Sequence, residues 1–109
     1  MKNIFLLLVF FLSVEAFAVR DITTSTVVSV YQKDGSDKVF EFESDVIHLC
    51  YHRDTPYIYQ VVSDTAVEAN RKFSLVLAAM MSGKKLGFHD SQVCGEGTRS
   101  TVTWVRIIN

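Results

Sequence analysis

A single helical segment within an otherwise extended chain is the feature that most constrains the fold. Residues 66–82 contain neither Gly nor Pro, Thr65 precedes them as an N-cap with Glu68 three positions later, and Gly83 follows. The segments on either side alternate apolar and polar residues with the period typical of strands. Because one helix cannot supply the crossovers of five or six parallel strands, a sheet of βαβ units is excluded. The sequence predicts a small α+β domain, mainly β: an antiparallel barrel or curled sheet with one packed helix.

The predicted strands lie on both sides of this helix. They cover residues 24–32, 39–43, 46–51, 57–62, 85–89 and 101–108. Asp and Gly between the first two of these segments indicate a hairpin. Two alternatives remain for 46–51 and 57–62, which are either separate strands or one interrupted strand. Residues 90–100 are predicted to form a loop.

The alternation also assigns faces to individual side chains. Phe40 and Phe42 are predicted to face the core, so Glu41 and Glu43 are predicted to face solvent. In the last strand, Trp104 shares a face with two aliphatic residues, Val102 and Ile108. We therefore expect Trp104 to belong to the core.

Residues 1–18 have the layout of a secretory signal peptide. Lys2 is followed by nine consecutive apolar residues at 4–12, and small residues stand at 16 and 18. The alternative is a membrane anchor, but a spanning helix needs about 20 apolar residues. The sequence predicts cleavage before Val19 and an exported protein, periplasmic or secreted. The exported part would be a single domain, 19–109, with no membrane span after cleavage.

The two cysteines, Cys50 and Cys94, both belong to the predicted exported part. An oxidising compartment favours a disulfide between them. Closing a loop of about 44 residues would stabilise the fold by roughly 4 kcal/mol in the chain-entropy model. The alternative is a free catalytic thiol, which a paired sulfur cannot be.

Charge and motifs give no sign of nucleic-acid binding, metal binding or catalysis. The net charge is −1, and no run of five basic residues occurs. His48 and His52 lie in or beside a predicted strand, where four residues span about 13 Å, too far for two ligands of one zinc ion. His89 is remote in sequence, and no Gly-x-Ser-x-Gly elbow is present. We predict a protein that is not an enzyme, with no catalytic residues, no metal, no cofactor and no nucleic-acid partner.

Two groups of residues are candidates for binding. The first is a polar and aromatic loop, in which Tyr and Arg would contact a ligand, comprising Tyr51, His52, Arg53, Asp54 and Tyr57. Its alternative is a solvated turn flanked by two core tyrosines. The second is the helix, which is apolar nearly all round in its second half and is expected to contact both its own sheet and another subunit. The predicted subunit interface comprises Phe73, Val76, Leu77 and Met80.

Residues 73–88 carry a resemblance to a known group of proteins. An Ala/Leu-rich helix, the turn Gly83-Lys84-Lys85 and a short strand are followed by Cys94 and a terminal strand. This arrangement resembles small exported bacterial proteins and is similar to the receptor-binding B subunits of pentameric AB toxins of the subtilase-cytotoxin and typhoid-toxin type. The resemblance implies an OB-type five-stranded barrel with the helix between the third and fourth strands. It also implies a homopentamer whose helices line a pore and whose groove binds a sialylated glycan.

Three functional hypotheses follow. The leading one is a non-enzymatic exported binding module that takes a glycan or a protein ligand and forms a homo-oligomer. The second is a monomeric periplasmic inhibitor or stress protein that acts through the loop at 52–56. The third is an exported hydrolase that depends on a histidine.

Overall fold

The computed structural model describes residues 19–32, 35–50, 56–94 and 99–109, so the predicted signal peptide lies outside the described residues. Within these residues, six strands and one helix follow each other. They are β1 (Arg20–Ser25), β2 (Val27–Gln32), β3 (Val39–Ser44), β4 (Ile58–Val62), α1 (Ala66–Ser82), β5 (Lys85–Cys94) and β6 (Ser100–Ile108). The prediction of a mainly β domain with one helix is confirmed.

The six strands form one sheet in the order β1-β5-β6-β4-β3-β2. All neighbouring pairs are antiparallel except β4 and β6, which are parallel. The pairing leaves β1 and β2 at the two edges, so the sheet is open. The helix follows the fourth strand, and its predicted position between the third and fourth strands is wrong. Four strands precede the helix because Thr26 interrupts the predicted strand 24–32, which forms β1 and β2 instead of one strand.

The helix has the bounds that its capping residues predict. The Thr65 hydroxyl accepts a hydrogen bond from the Glu68 backbone N–H at 3.2 Å, which satisfies one unpaired donor of the first turn. Gly83 ends the helix in the left-handed conformation, with φ of 71°, and donates its N–H to the Ala79 carbonyl. A residue with a Cβ would be strained there, which explains the glycine.

The core lies between the helix and the concave side of the sheet. Phe40 and Phe42 are buried, as predicted, and Phe42 lies 5.2 Å from Phe88 and 5.5 Å from Tyr59 between ring centroids. Tyr59 and Phe88 also meet edge to face at 4.7 Å. The Tyr59 hydroxyl donates to the Val46 carbonyl at 2.9 Å, and burial raises its pKa above the ordinary value. The core therefore has an aromatic centre that joins β3, β4 and β5.

The disulfide between Cys50 and Cys94 is present, which confirms the predicted pairing. It joins the segment after β3 to the end of β5. Residues 46–50 of that segment are not a strand, contrary to the prediction for 46–51. Isolated hydrogen bonds hold these residues in place of a β-ladder. The His48 N–H donates to the Pro56 carbonyl, and the Arg20 side chain donates to the Ile47 carbonyl.

Strand β5 continues to Cys94, so the prediction of a loop from residue 90 is wrong. Asp90 pairs with Val102 and Cys94 with Ser100, with a shift of register between them where Gln92 has φ of 60°. The polar residues Asp90, Ser91 and Gln92 favour a loop when the sequence is considered alone. They occur in a strand because Asp90 is buried beside partners from β1 and β6.

A β-bulge in β6 turns Trp104 away from the core. Phe88 pairs with Val105 and Asp90 with Val102, so two steps along β5 face three steps along β6. The extra residue reverses the alternation, and Val105 is buried while Trp104 is 37% exposed. The prediction that Trp104 belongs to the core is therefore wrong.

In the part of the chain that the structure describes, no helix has both the length and the apolar character needed to cross a bilayer.

Candidate functional site

Four side chains meet on the outward face of β1, β5 and β6, and we call them the Trp104 surface. They are Asp21, His89, Trp104 and Arg106. Asp21 and His89 are register partners on neighbouring strands, and His89 Nδ1 lies 2.8 Å from Asp21 Oδ1. Because cross-strand partners share a face, this bond fixes the orientation of the imidazole ring.

The indole ring of Trp104 has a neighbour from each of two strands. The His89 ring lies nearly parallel to it, with an interplanar angle of 23° and 6.0 Å between centroids. The Arg106 guanidinium carbon lies over the ring at 5.6 Å from its centroid, which is a cation–π arrangement. The ring is thus held in place while part of it stays exposed.

Gly87 explains how the Arg106 side chain reaches its place. Gly87 pairs with Arg106, and the backbone of Gly87 is buried beneath side chains of β6. A Cβ at residue 87 would lie 3.1 Å from Arg106 Nε and 2.8 Å from Ile108 Cδ1. Glycine therefore leaves the space that these two side chains occupy.

The chemistry of the Trp104 surface is that of a recognition platform. An exposed indole offers a flat apolar face, and the carboxylate and guanidinium at its margin accept and donate hydrogen bonds. The side chain of Asp21 is 61% exposed and that of His89 26% exposed, so these groups are accessible from solvent. Such a combination suits a ligand with an apolar face and polar edges.

A second polar group lies on the outward face of β2 and β3, and we call it the Glu41 cluster: Tyr31, Glu41 and Arg99. Arg99 Nε lies 2.8 Å from Glu41 Oε2, and the Tyr31 hydroxyl donates to Glu41 Oε1 at 2.8 Å. The Glu41 side chain is only 3% exposed, so its predicted solvent-facing position is wrong. The reason is that residues from β2 and from the start of β6 cover this carboxylate.

The Glu41 cluster belongs to a continuous row across four strands. Register pairing places Tyr31 beside Glu41, Glu41 beside Gln60 and Gln60 beside Thr101. Partial burial raises the pKa of Tyr31, and its hydrogen bond to Glu41 raises it further. The groups of this cluster are directed at one another, which is the arrangement of a structural polar network.

A third polar group ties the beginning of the described chain to the sheet. Arg20 Nε lies 2.9 Å from Asp90 Oδ2, and Ser100 also donates to this fully buried carboxylate. The Gln92 amide donates to Asp90 at 3.1 Å. Arg20 Nη2 donates to the Ile47 carbonyl at 2.6 Å. This group fixes β1 against β5.

The predicted binding loop is only partly described. Tyr51, His52, Arg53 and Asp54 lie outside the described residues, and the inhibitor hypothesis that depends on 52–56 stays a prediction. Tyr57 is described, and its side chain is exposed. Its carbonyl accepts a hydrogen bond from the Ser44 N–H at 3.0 Å.

Three of the four predicted interface residues on α1 face the chain's own core. Val76 is fully buried, and Phe73 and Met80 pack against the core cluster. Leu77 is half-buried. Val76 has no exposed surface in the single chain, because this apolar face covers the sheet. The subunit interface stays a prediction. The large apolar side chains that α1 does expose are Val67, Leu75 and Met81.

Within residues 19–32, 35–50, 56–94 and 99–109, no cluster of three or more His, Cys, Asp or Glu side chains could hold a metal ion. His48 is buried and meets the Tyr59 ring edge to face at 5.4 Å between centroids. His89 belongs instead to the Trp104 surface.

Sequence reasoning missed Asp21, Trp104 and Arg106 as a group. One signal was available, because Arg106 shares with Trp104 the face of β6 that was predicted to be buried. A buried arginine needs a charged partner, and the prediction supplied none. An unpaired arginine on a face predicted to be buried indicates that β6 contains a bulge or that this face points to solvent.

No protein-family model matches the sequence, and a search of curated proteins finds no match.

Proposed function

We propose that this chain is an exported, non-enzymatic binding module that recognises carbohydrate on its Trp104 surface. The observation that carries the proposal is the exposed indole of Trp104, turned outward by a β-bulge and placed between His89 and Arg106. Bulges are enriched beside functional sites, where they redirect a side chain.

Carbohydrate is the ligand class that matches this chemistry. A sugar ring has an apolar C–H face that can lie on an indole, and hydroxyl groups around its edge. Asp21 accepts hydrogen bonds from such hydroxyls, and Arg106 donates them. Both side chains are exposed, Asp21 beside His89 and Arg106 over the indole ring, so a ligand on this surface can reach them.

Export is supported by two independent features. The Cys50–Cys94 disulfide suits an oxidising compartment. Residues 1–18 have the order of charge, apolar run and small residues that a signal peptidase recognises. We propose that the working protein begins at Val19, in the periplasm or outside the cell.

The exposure of the Asp21–His89 pair to water favours a binding function over catalysis. The Asp21 carboxylate is largely in water, where electrostatic stabilisation of a transition state is weak. Reversible recognition of an uncharged or weakly charged ligand needs no water-excluded site.

We propose that the sheet is a partly open OB-type barrel and that the chain is related to toxin B subunits. Two features support the barrel. A single residue, Thr26, connects the two edge strands, and β4 and β6 pair in parallel within an otherwise antiparallel sheet. OB-type barrels bind oligosaccharides and oligonucleotides on one face. A homopentamer would have to assemble through surfaces other than Val76, such as the exposed side of α1.

A glycan array probed with the chain from Val19 onward tests the proposal. The variant Trp104→Ala should lose at least tenfold in affinity for any glycan that the unchanged chain binds, which corresponds to about 1.4 kcal/mol. Val28→Ala is the control, since it shortens another exposed apolar side chain of the sheet outside the Trp104 surface and should keep the affinity. Failure of the unchanged chain to bind any glycan, or equal losses in both variants, contradicts the proposal.

Sedimentation of the same material tests the assembly separately. A species of five chains supports the homopentamer, whereas a monomer that still binds glycan removes the ring and leaves the binding module.

A further inference from the structure

We infer that the protonation state of His89 controls access to the Trp104 ring, so that the surface closes as the pH falls. The effect on access concerns this chain alone, and its consequence for a ligand rests on the proposed function. Histidine is the side chain whose charge commonly changes between pH 5 and pH 8, so the inference can be tested while the fold is stable.

The inference begins with the position of the imidazole. His89 is bonded to Asp21 through Nδ1 at 2.8 Å, and its ring lies nearly parallel to the Trp104 indole. A ligand that lies on the indole competes with this ring for the same apolar face. Access to Trp104 therefore depends on how firmly His89 is held.

The charged groups that face His89 come from both strands packed against β5. Asp21 on β1 contributes a carboxylate, and Arg106 on β6 contributes a guanidinium near the same indole. Asp90, the next residue of β5, is fully buried and paired with Arg20 on the opposite face. Asp21 and Arg106 thus dominate the field at the imidazole.

Protonation strengthens both contacts that hold the ring. The hydrogen bond to Asp21 becomes charge-assisted, and the ring becomes a cation beside the indole. Repulsion from Arg106 opposes these gains, but Asp21 lies in direct contact with the imidazole whereas Arg106 contacts the indole. The protonated ring is therefore held more firmly over Trp104.

The consequence for a ligand follows from competition. A sugar must displace the imidazole to lie on the indole, and displacing an imidazolium costs more. Binding at pH 5.5 should be about two- to fivefold weaker than at pH 7.5, which corresponds to one cation–π contact at a partly exposed site.

The direct test needs no ligand, because the chain contains one tryptophan and its fluorescence reports on Trp104 alone. The acrylamide quenching constant, which measures solvent access to the indole, is determined from pH 8 to pH 5. It should fall with pH in the unchanged chain and stay constant in His89→Gln, with circular dichroism verifying that both remain folded. Asp21→Asn should weaken the dependence of the quenching constant on pH, because it removes the carboxylate that holds the protonated ring.

Two results would overturn the inference: a quenching constant that does not change with pH in the unchanged chain, or one that changes equally in His89→Gln. The absence of glycan binding at every pH would instead remove the proposed function. The quenching result would still decide whether His89 controls access to Trp104.

Discussion

The Glu41 cluster and the Trp104 surface contain the same kinds of groups at the same separation but in different surroundings. Each has an acid–base pair with its closest atoms 2.8 Å apart, Glu41 with Arg99 and Asp21 with His89. The acid is 3% exposed in the first pair and 61% exposed in the second. Separation alone therefore does not distinguish a structural pair from an accessible one.

Burial changes what each pair contributes. A buried ion pair stabilises little relative to an apolar replacement, yet the removal of one partner is severe because the other charge is left without compensation. An exposed pair is solvated in either case and contributes about 0–1 kcal/mol. We therefore expect the Glu41 cluster to support the fold and the Trp104 surface to be free for recognition.

The aromatic residues of the two groups are equally exposed, Tyr31 at 38% and Trp104 at 37%, so exposure does not distinguish them. Tyr31 uses its hydroxyl to satisfy Glu41, so its polar group is committed within the protein. Trp104 meets its neighbours through its ring, with the His89 ring nearly parallel to it and the Arg106 guanidinium over it. The second arrangement combines an aromatic ring with accessible polar side chains, which is what recognition of a polar ligand requires.

The largest expected effect is on the buried pair. Arg99→Ala should lower the free energy of unfolding by about 3–5 kcal/mol, because it leaves the Glu41 carboxylate buried without its cation. Urea unfolding measures the change. The double variant Glu41→Gln/Arg99→Ala should recover a large part of the loss, since it removes both charges. Equal losses of unfolding free energy in the single and the double variant would contradict the claim that an unpaired buried charge causes the loss.

Alkaline pH should destabilise the fold through two phenols whose pKa values are raised. The pKa values of Tyr59 and Tyr31 are raised, chiefly by burial, so the folded chain keeps protons that the unfolded chain releases from about pH 10 upward. Stability from this source is fully present below pH 10 and is lost as the pH rises. A proton retained by the buried Tyr59 steepens the loss by up to about 1.4 kcal/mol per pH unit, and one retained by the solvent-screened Tyr31 steepens it by less. Urea midpoints between pH 9 and pH 11 measure this slope, and Tyr59→Phe should reduce it. A slope unchanged by Tyr59→Phe would contradict the assignment.

Removal of the Tyr31 hydroxyl should have a smaller effect. Tyr31→Phe eliminates the hydrogen bond to Glu41 and should cost about 1 kcal/mol of unfolding free energy, as judged by urea midpoints. Tyr57→Phe is the matched control, because the Tyr57 side chain is exposed outside the cluster, and it should leave the midpoint unchanged. Equal shifts of the urea midpoint in Tyr31→Phe and Tyr57→Phe would show that the hydrogen bond to Glu41 does not contribute to stability.

The smallest expected effect is on the exposed pair. Asp21→Asn should change the free energy of unfolding by less than about 1 kcal/mol, because both partners stay solvated when the pair is broken. The same urea experiment measures it. A loss as large as that of Arg99→Ala would show that the two regions do not differ in the way that their exposure indicates.

The sequence predicts those features that depend on neighbouring residues. Thr65 and Gly83 bound the helix because capping is local chemistry within a few residues. The Cys50–Cys94 pairing follows because the chain has two cysteines and because residues 1–18 predict export to an oxidising compartment. The inward position of Phe40 and Phe42 follows from strict alternation within one strand.

The remaining features depend on residues that are distant along the chain. The bulge that exposes Trp104 arises from the register of β6 against β5, which alternation within β6 alone cannot reveal. Glu41 is buried because Arg99, 58 positions later, reaches it. The outward grouping of Asp21 with His89 likewise requires the pairing of the first strand with the fifth.

Mapping a bound glycan by ¹⁵N–¹H correlation spectroscopy tests the central claim most directly. Titration of the labelled chain should shift the Trp104 indole N–H together with the backbone amides of Asp21 and His89, while those of Tyr31 and Glu41 stay unchanged. Shifts centred on Tyr31, Glu41 and Arg99 with an unaffected Trp104 would contradict the account, because the Glu41 cluster would then be the recognition site.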